Sequence, residues 1–266
     1  MKKIITCLGI LLMVTSGLHA QKYYVRVGGG FALSTHAEYW GEYDWTAQTV
    51  NAKRMALGNG VPVTAAFGYG LSKYISIELG VHHFFGFTSK FEDEWGSGNS
   101  TDRYQASMLT IIPAVVVSPG LEKVNPYGRF GFLVGVFGRV LEKYEEEGSM
   151  EGLTYTQDYI ARNYGGLCLG AQGAVGVDFN FNKHLVLFCE AQIDALSYAP
   201  KKGKYLEYNY NGEDQLDNMD VRDKEWEYVK EIDMNEVIPS DQPDKELIHS
   251  FSLSNYGLMV GLKIKF

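Results

Sequence analysis

From residue 22 onward, apolar and polar side chains alternate with a period of two, the pattern of strands that are greasy on one face only. Eight such segments are legible, at 22–33, 61–71, 74–88, 103–118, 126–140, 163–181, 184–198 and 250–266. In the third, Ile75, Ile77, Leu79, Val81, His83, Phe85 and Phe87 share one parity. In the seventh, Leu185, Leu187, Cys189, Ala191 and Ile193 do. The opposite parity carries Arg26, Glu78, His82, Arg129, Arg139, Gln172, Asp178, Glu190, Gln192, Asp194 and Lys263 among glycines.

Alternation alone does not say which parity meets water, and a soluble barrel of the lipocalin kind would bury the apolar one. Three features turn the reading toward a membrane. The connections at Ser72–Lys73 and Asn180–Lys183 are only a few residues long, and that around Gly120–Asn125 is modest. Those after segments one, three, five and seven run from roughly 14 to roughly 50 residues, the short-turn and long-loop asymmetry of an outer-membrane barrel. Several segments exceed the ~9–11 residues that cross a bilayer when tilted. Aromatic residues also collect at segment ends. Tyr23, Tyr74, Phe179 and Phe266 mark the short-turn rim, and Phe31, Phe85, Phe87 and Tyr256 the other, as interfacial girdles do.

The first twenty residues read as a secretory signal peptide: Lys2 and Lys3, an apolar run from Ile4 to Val14, then small residues before Ala20. Cleavage is expected between Ala20 and Gln21, leaving 21–266 as one barrel domain. No later run approaches the ~18 apolar residues of a spanning helix. The formal net charge is −8, which excludes nucleic acid as an expected partner. Two cysteines remain after the signal, Cys168 and Cys189, both read as mid-strand apolar fillers rather than a disulfide framework.

The chain resembles the eight-stranded outer-membrane β-barrel proteins, the OmpA/OmpX-like and OmpW-like porin-family barrels, over nearly its whole mature length. Its sharpest motif is the end, Gly261-Leu262-Lys263-Ile264-Lys265-Phe266. In that family a glycine, spaced apolar residues and a terminal aromatic are read by the barrel-assembly machinery, so the resemblance implies that Gly261, Leu262, Ile264 and Phe266 form an assembly signal. Met259 departs from the polar residue usual before that glycine. The resemblance implies an all-β fold, an eight-stranded antiparallel up-and-down transmembrane β-barrel with long extracellular loops and short periplasmic turns. It places the protein in the outer membrane against lipid and lipopolysaccharide, with both termini periplasmic and no further domain.

A barrel of eight strands has an interior that side chains can fill. Arg26, Glu78, Arg129 and Glu190 lie at similar depth on the polar parity and are expected to pair as a structural lumen charge network. His82 is expected in a lumen hydrogen bond. His36 with Ser34 and Glu38 is the one cluster that invites a hydrolase reading, without the fixed geometry that identifies a triad. Gly28-Gly29-Gly30 lacks the lysine and helix of a phosphate loop and reads as relief of crowding in a strand. Asn211-Gly212 is a hairpin turn.

The last connection, roughly 198–249, is rich in Asp and Glu. Asp217-Asn218-Met219-Asp220 lacks the glycine of a calcium loop, and the stretch reads as a solvated acidic face. Trp226, Val229 and Ile232 are spaced for a short amphipathic helix over the barrel mouth. No cofactor, metal site or catalytic residue is expected. The leading reading is a non-enzymatic structural or surface-interaction barrel with a surface partner of unknown identity. A narrow conduit for small solutes and a barrel enzyme are the alternatives.

Overall fold

The computed structural model describes residues 23–44, 47–95 and 97–266; the expected signal peptide, 1–20, and its cleavage bond lie outside the described residues. Eight strands form the body: β1 (Tyr23–Ser34), β2 (Gly60–Gly70), β3 (Ile75–Gly86), β4 (Gly98–Val117), β5 (Val124–Met150), β6 (Cys168–Asn180), β7 (Leu185–Tyr198) and β8 (Asn255–Lys265). Each pairs antiparallel with the next. β8 returns to β1 with Tyr24 opposite Lys265 and Ser34 opposite Asn255. The ring therefore closes and leaves no open ladder, the condition hydrocarbon imposes on a sheet.

The outward parity is a continuous apolar surface. Val25, Leu79, Phe130, Phe132, Leu169 and Leu258 all stand exposed on it, far more than a soluble protein tolerates. The rings assigned to the two girdles all point outward, and Phe31 meets Phe87 with centroids 5.7 Å apart. The chain is an all-β, eight-stranded antiparallel up-and-down transmembrane barrel. The turns at 71–74 and 181–184 are tight: the N–H groups of Leu71 and Ser72 both donate to the Ile75 carbonyl, and those of Phe181 and Asn182 to that of Leu185.

The glycines of the inward parity are seats for large side chains. A Cβ on Gly28 would lie 2.6 Å from the Phe188 ring, one on Gly30 would lie 2.6 Å from Met259 Sδ, and one on Gly68 would enter the Tyr24 ring at 2.1 Å. Crowding relief is thus what Gly28 and Gly30 supply, while a Cβ on the outward Gly29 would meet nothing nearer than 3.6 Å.

Above the belt the long connections are largely strand. Glu38–Asp44 and Thr49–Met55 pair as a hairpin. β4 and β5 run on past the membrane, paired out to Gly98 and Gly148, and Ser89–Trp95 flanks β4. Leu153–Tyr164, Lys202–Tyr210, Glu225–Val229 and Asp244–Leu247 extend the other side into one sheet. Asn211 (φ 52°) and Gly212 (φ 77°) both take the left-handed conformation of a type I′ turn, joining Tyr210 to Glu213.

Three expectations need correction. The helix placed over Trp226, Val229 and Ile232 is a strand, Glu225–Val229, preceded by a four-residue helix, Val221–Lys224. Strand pairing of Trp226 with Gly203 and with Asp244 outweighs the period-three stripe. Arg139 faces outward, because the register slips between Leu109/Phe137 and Thr110/Gly135; the bulge at Val136 exchanges the two faces of β5 beyond it. Cys168 is the first residue of β6, buried on the inner side, while Cys189 is exposed on the outer.

Candidate functional site

The lumen is built in layers. Nearest the short turns, Lys263 Nζ lies 2.6 Å from Asp178 Oδ2 and over the rings of Tyr24 and Tyr127, 4.9 and 5.2 Å from their centroids. A polar recess of ≈ 270 Å³ opens below, lined among others by Ser76, Asn125, Lys263 and Lys265. Two larger hollows, ≈ 460 and ≈ 660 Å³, lie among outward rings such as Phe67, Phe130 and Phe132, where acyl chains would fill them.

The next layer brings Arg26, Glu78, Arg129 and Glu190 together, each less than a tenth exposed. Arg26 Nη2 stands 2.9 Å from Glu190 Oε1, and Arg26 Nη1 stands 3.7 Å from Glu78 Oε2. Arg129 Nη2 lies 2.6 Å from the same Glu190 Oε1, and its Nε donates to Oε2 at 3.3 Å. The hydroxyls of Tyr127 and Tyr24 donate to Glu190 and Glu78 at 2.9 and 2.8 Å. The Arg26 guanidinium rests on the Phe188 ring, 4.0 Å from its centroid. Each carboxylate that loses water here gains cations and phenolic donors, which is what makes burial of charge tolerable.

Arg129 also donates to Gln172, whose amide donates to Asp194 Oδ1 at 2.8 Å. Above these, a void of only ≈ 10 Å³ is bordered by His82, Thr110, Asp194 and Asn255, about the volume of one water. Then the lumen turns apolar. Phe84, Met108, Leu133, Leu196 and Leu253 fill it, and Met55, Leu57, Phe91, Tyr104, Tyr198 and Phe251 continue the same cluster to the upper mouth.

Beyond the mouth, the sheet carries the inner wall upward as a face of rings. Tyr144 and Tyr159 stack at 5.0 Å, Tyr159 meets Tyr205 at 5.1 Å, and Tyr205 meets both Tyr208 and Trp226 at 5.3 Å. A register shift between Tyr205 and Glu207 is what puts Tyr205 and Tyr208, three apart, on one side. Carboxylates stand between the rings: Tyr159 donates to Glu142 at 2.9 Å, and Tyr144 and Tyr155 donate to Glu146 at 2.7 and 2.8 Å. Burial, then the neighbouring Glu142 and Asp93, push Asp102 up to about 6. Burial raises Glu142 and Glu246 as well; for Glu246 the charges of Asp244 and Glu142 add to it. This face had no signal in the alternation of the spanning segments, because it lies in stretches read as loops.

Among the described residues of the loop-one cluster, Ser34 meets the backbone of His36 rather than its imidazole. The Ser34 hydroxyl is buried and donates to the backbone carbonyl of His36, while the His36 side chain is exposed and the Glu38 side chain lies outside the described residues. Among the described residues no group of three His, Cys, Asp or Glu side chains is placed to hold a metal ion. At the lower rim, Phe266 is exposed and its N–H donates to the Tyr23 carbonyl at 2.9 Å; Leu262 and Ile264 face outward, and Gly261 packs against Gly28 and Phe188.

No protein-family model matches the chain, and no curated protein matches it. Among solved structures, it is similar to Ail, the attachment invasion locus protein of Yersinia pestis, at 11% identity and TM-score 0.32, over 93% of this chain and 99% of that one. The same protein in complex with the heparin analogue sucrose octasulfate gives 11% and 0.31, over 92% and 99%. The outer membrane protease OmpT of Escherichia coli gives 11% and 0.29, over 95% and 100%. At these values the architecture rests on the chain's own strand pairing.

Proposed function

We propose that this chain is a non-enzymatic, non-conducting outer-membrane barrel whose working surface is the sheet above the membrane. One observation carries the reading: the lumen is filled from Lys263 and Asp178, through the arginine–glutamate layer, to Met108, Phe251 and Leu253, and the void bordered by His82, Thr110, Asp194 and Asn255 holds about one water. A solute path would need a wet, continuous bore, and an aliphatic layer under a cluster of rings opposes one. The closed ring and apolar belt support a membrane position, and among membranes the outer one is where single-chain barrels of this kind occur. The engagement of the Ser34 hydroxyl by a backbone carbonyl supports the non-enzymatic reading.

In this account the four lumen charges are structural, and Gly261, Leu262, Ile264 and Phe266 serve assembly. Swelling of liposomes loaded with the purified protein tests it: small sugars and amino acids should enter no faster than into empty liposomes. Entry that scales with protein content would replace this reading with the conduit.

A further inference from the structure

The sheet above the belt separates its charges by face. Strand register puts Asp102, Glu142, Glu146 and Glu246 on the side that continues the inner wall, together with Tyr144, Tyr159, Tyr205, Tyr208 and Trp226. Among the described residues of these strands, that side holds no Lys or Arg. The cations lie on the other side, where they already have partners: Arg103 and Lys143 on Glu145 at 2.7 and 2.8 Å, and Lys202 on Glu227 at 2.8 Å. The outer side is thus neutralised within itself. The inner side is anionic, and on it Glu142 accepts from Tyr159 and Glu146 from Tyr144 and Tyr155.

The Tyr228 hydroxyl reaches over the Lys202–Tyr210 strand to donate to Asn163 Oδ1 at 2.9 Å, drawing the ring-bearing face into a trough. From Asp102 to Glu246 its arc crosses six strands, about 24 Å at ~4.8 Å per step. An extended peptide of about seven residues covers that length at ~3.3 Å each.

We infer that this trough binds an extended Lys- and Arg-bearing segment of a partner polypeptide, whose cations lie between the rings and the carboxylates. Rings facing a cation attract it through their quadrupole, and more strongly when water is thinned, as it is beside the half-buried Glu142. A neutral sugar would stack on the same rings and leave the carboxylate repulsion in place. A basic segment relieves it. The inference rests on the proposed role of this sheet as the working surface, and gives that surface a partner chemistry.

The test is titration of the full-length barrel in detergent with short oligolysine and oligoarginine peptides, with oligoglutamate and a neutral oligosaccharide as controls. Both cationic peptides should bind, more weakly as salt rises, and the controls should not. The triple variant Asp102→Asn, Glu142→Gln, Glu246→Gln should weaken binding about tenfold. Glu145→Gln, Glu225→Gln, Glu227→Gln removes the same charge from the other face and should change affinity less than twofold, about the limit of resolution. Tyr205→Leu with Tyr208→Leu should weaken oligoarginine more than oligolysine, since the planar guanidinium gains more from stacking.

Equal losses in the two triple variants, or no binding by the unaltered protein, would overturn the inference. If the first triple variant fails to fold, chemical footprinting of the unaltered barrel replaces it. Oligoarginine should then protect Tyr205 and Tyr208 and leave Tyr164, on the other face, reactive; uniform protection would count against the trough. Failure here with no liposome swelling leaves the sealed barrel standing, whereas swelling with binding intact removes the sealed barrel alone.

Discussion

The Arg129 guanidinium grips Glu190 from two of its nitrogens, Nη2 to Oε1 at 2.6 Å and Nε to Oε2 at 3.3 Å, in a layer where Glu190 is 1% exposed. Glu190 Oε1 also serves Arg26, whose Nη2 stands 2.9 Å away. Glu190→Ala would leave two buried cations in a layer whose one remaining carboxylate, Glu78, stands 3.7 Å from Arg26. We expect a loss of about 3–5 kcal/mol in urea unfolding, the usual cost of stranding one partner of a buried pair. Replacing Arg26, Glu78, Arg129 and Glu190 together by apolar residues of similar volume should cost far less. A larger loss for the quadruple replacement than for Glu190→Ala would contradict the network as drawn.

Tyr24 lies flat over Gly68, with no room for a Cβ between them. Gly68→Ala must push the ring away from Glu78, to which its hydroxyl donates at 2.8 Å. A loss of about 1–3 kcal/mol is expected, as for other overpacked cores. Because both changes act on one contact, Gly68→Ala combined with Tyr24→Ala should cost less than the sum of the two single changes. Simple additivity in the double-mutant cycle would refute the contact.

Asp102 titrates near 6 rather than 3.8, so between about pH 4 and pH 6 the folded sheet holds a proton that the unfolded chain has released. Stability of the sheet above the belt therefore falls as pH rises through that window, and the penalty is complete above it. Asp102→Asn should raise amide-exchange protection factors over 98–106 and 140–148 at pH 7 and flatten the dependence of those factors on pH between 4 and 7. An unchanged pH profile in Asp102→Asn would mean that Asp102 is not the titrating group.

Deleting Phe266 removes one exposed ring and one hydrogen bond, from its N–H to Tyr23. Its effect on unfolding should be on the order of 1 kcal/mol. If the terminal residues serve assembly, the amount of heat-modifiable barrel in the outer membrane should fall much further than that. Normal outer-membrane levels of the shortened chain would remove the assembly role.

The barrel was legible in the sequence because hydrocarbon demands the same thing of every strand: one apolar parity, closure, and rings at two depths. Val25, Leu79 and Phe130 announce their side without help from the tertiary structure. Arg139 did not, since a single unpaired residue at Val136 inverts parity and alternation carries no mark of it. The trough was hidden for the same reason. Tyr205 and Tyr208 share a face only across a bulge, and the six-stranded arc joins stretches far apart in the chain. Trp226, Val229 and Ile232 mimicked a helical stripe, but cross-strand partners that the local pattern cannot reveal, Gly203 and Asp244, made a strand there instead.

The central claim is that the lumen is closed, and single-channel recording in planar bilayers tests it most directly. The purified barrel, shown to insert by its heat-modifiable migration, should give no conductance steps at either polarity. Reproducible steps, altered in ion selectivity by Glu190→Gln or in size by Met108→Gly, would show a continuous aqueous path through the layers described here and contradict the account.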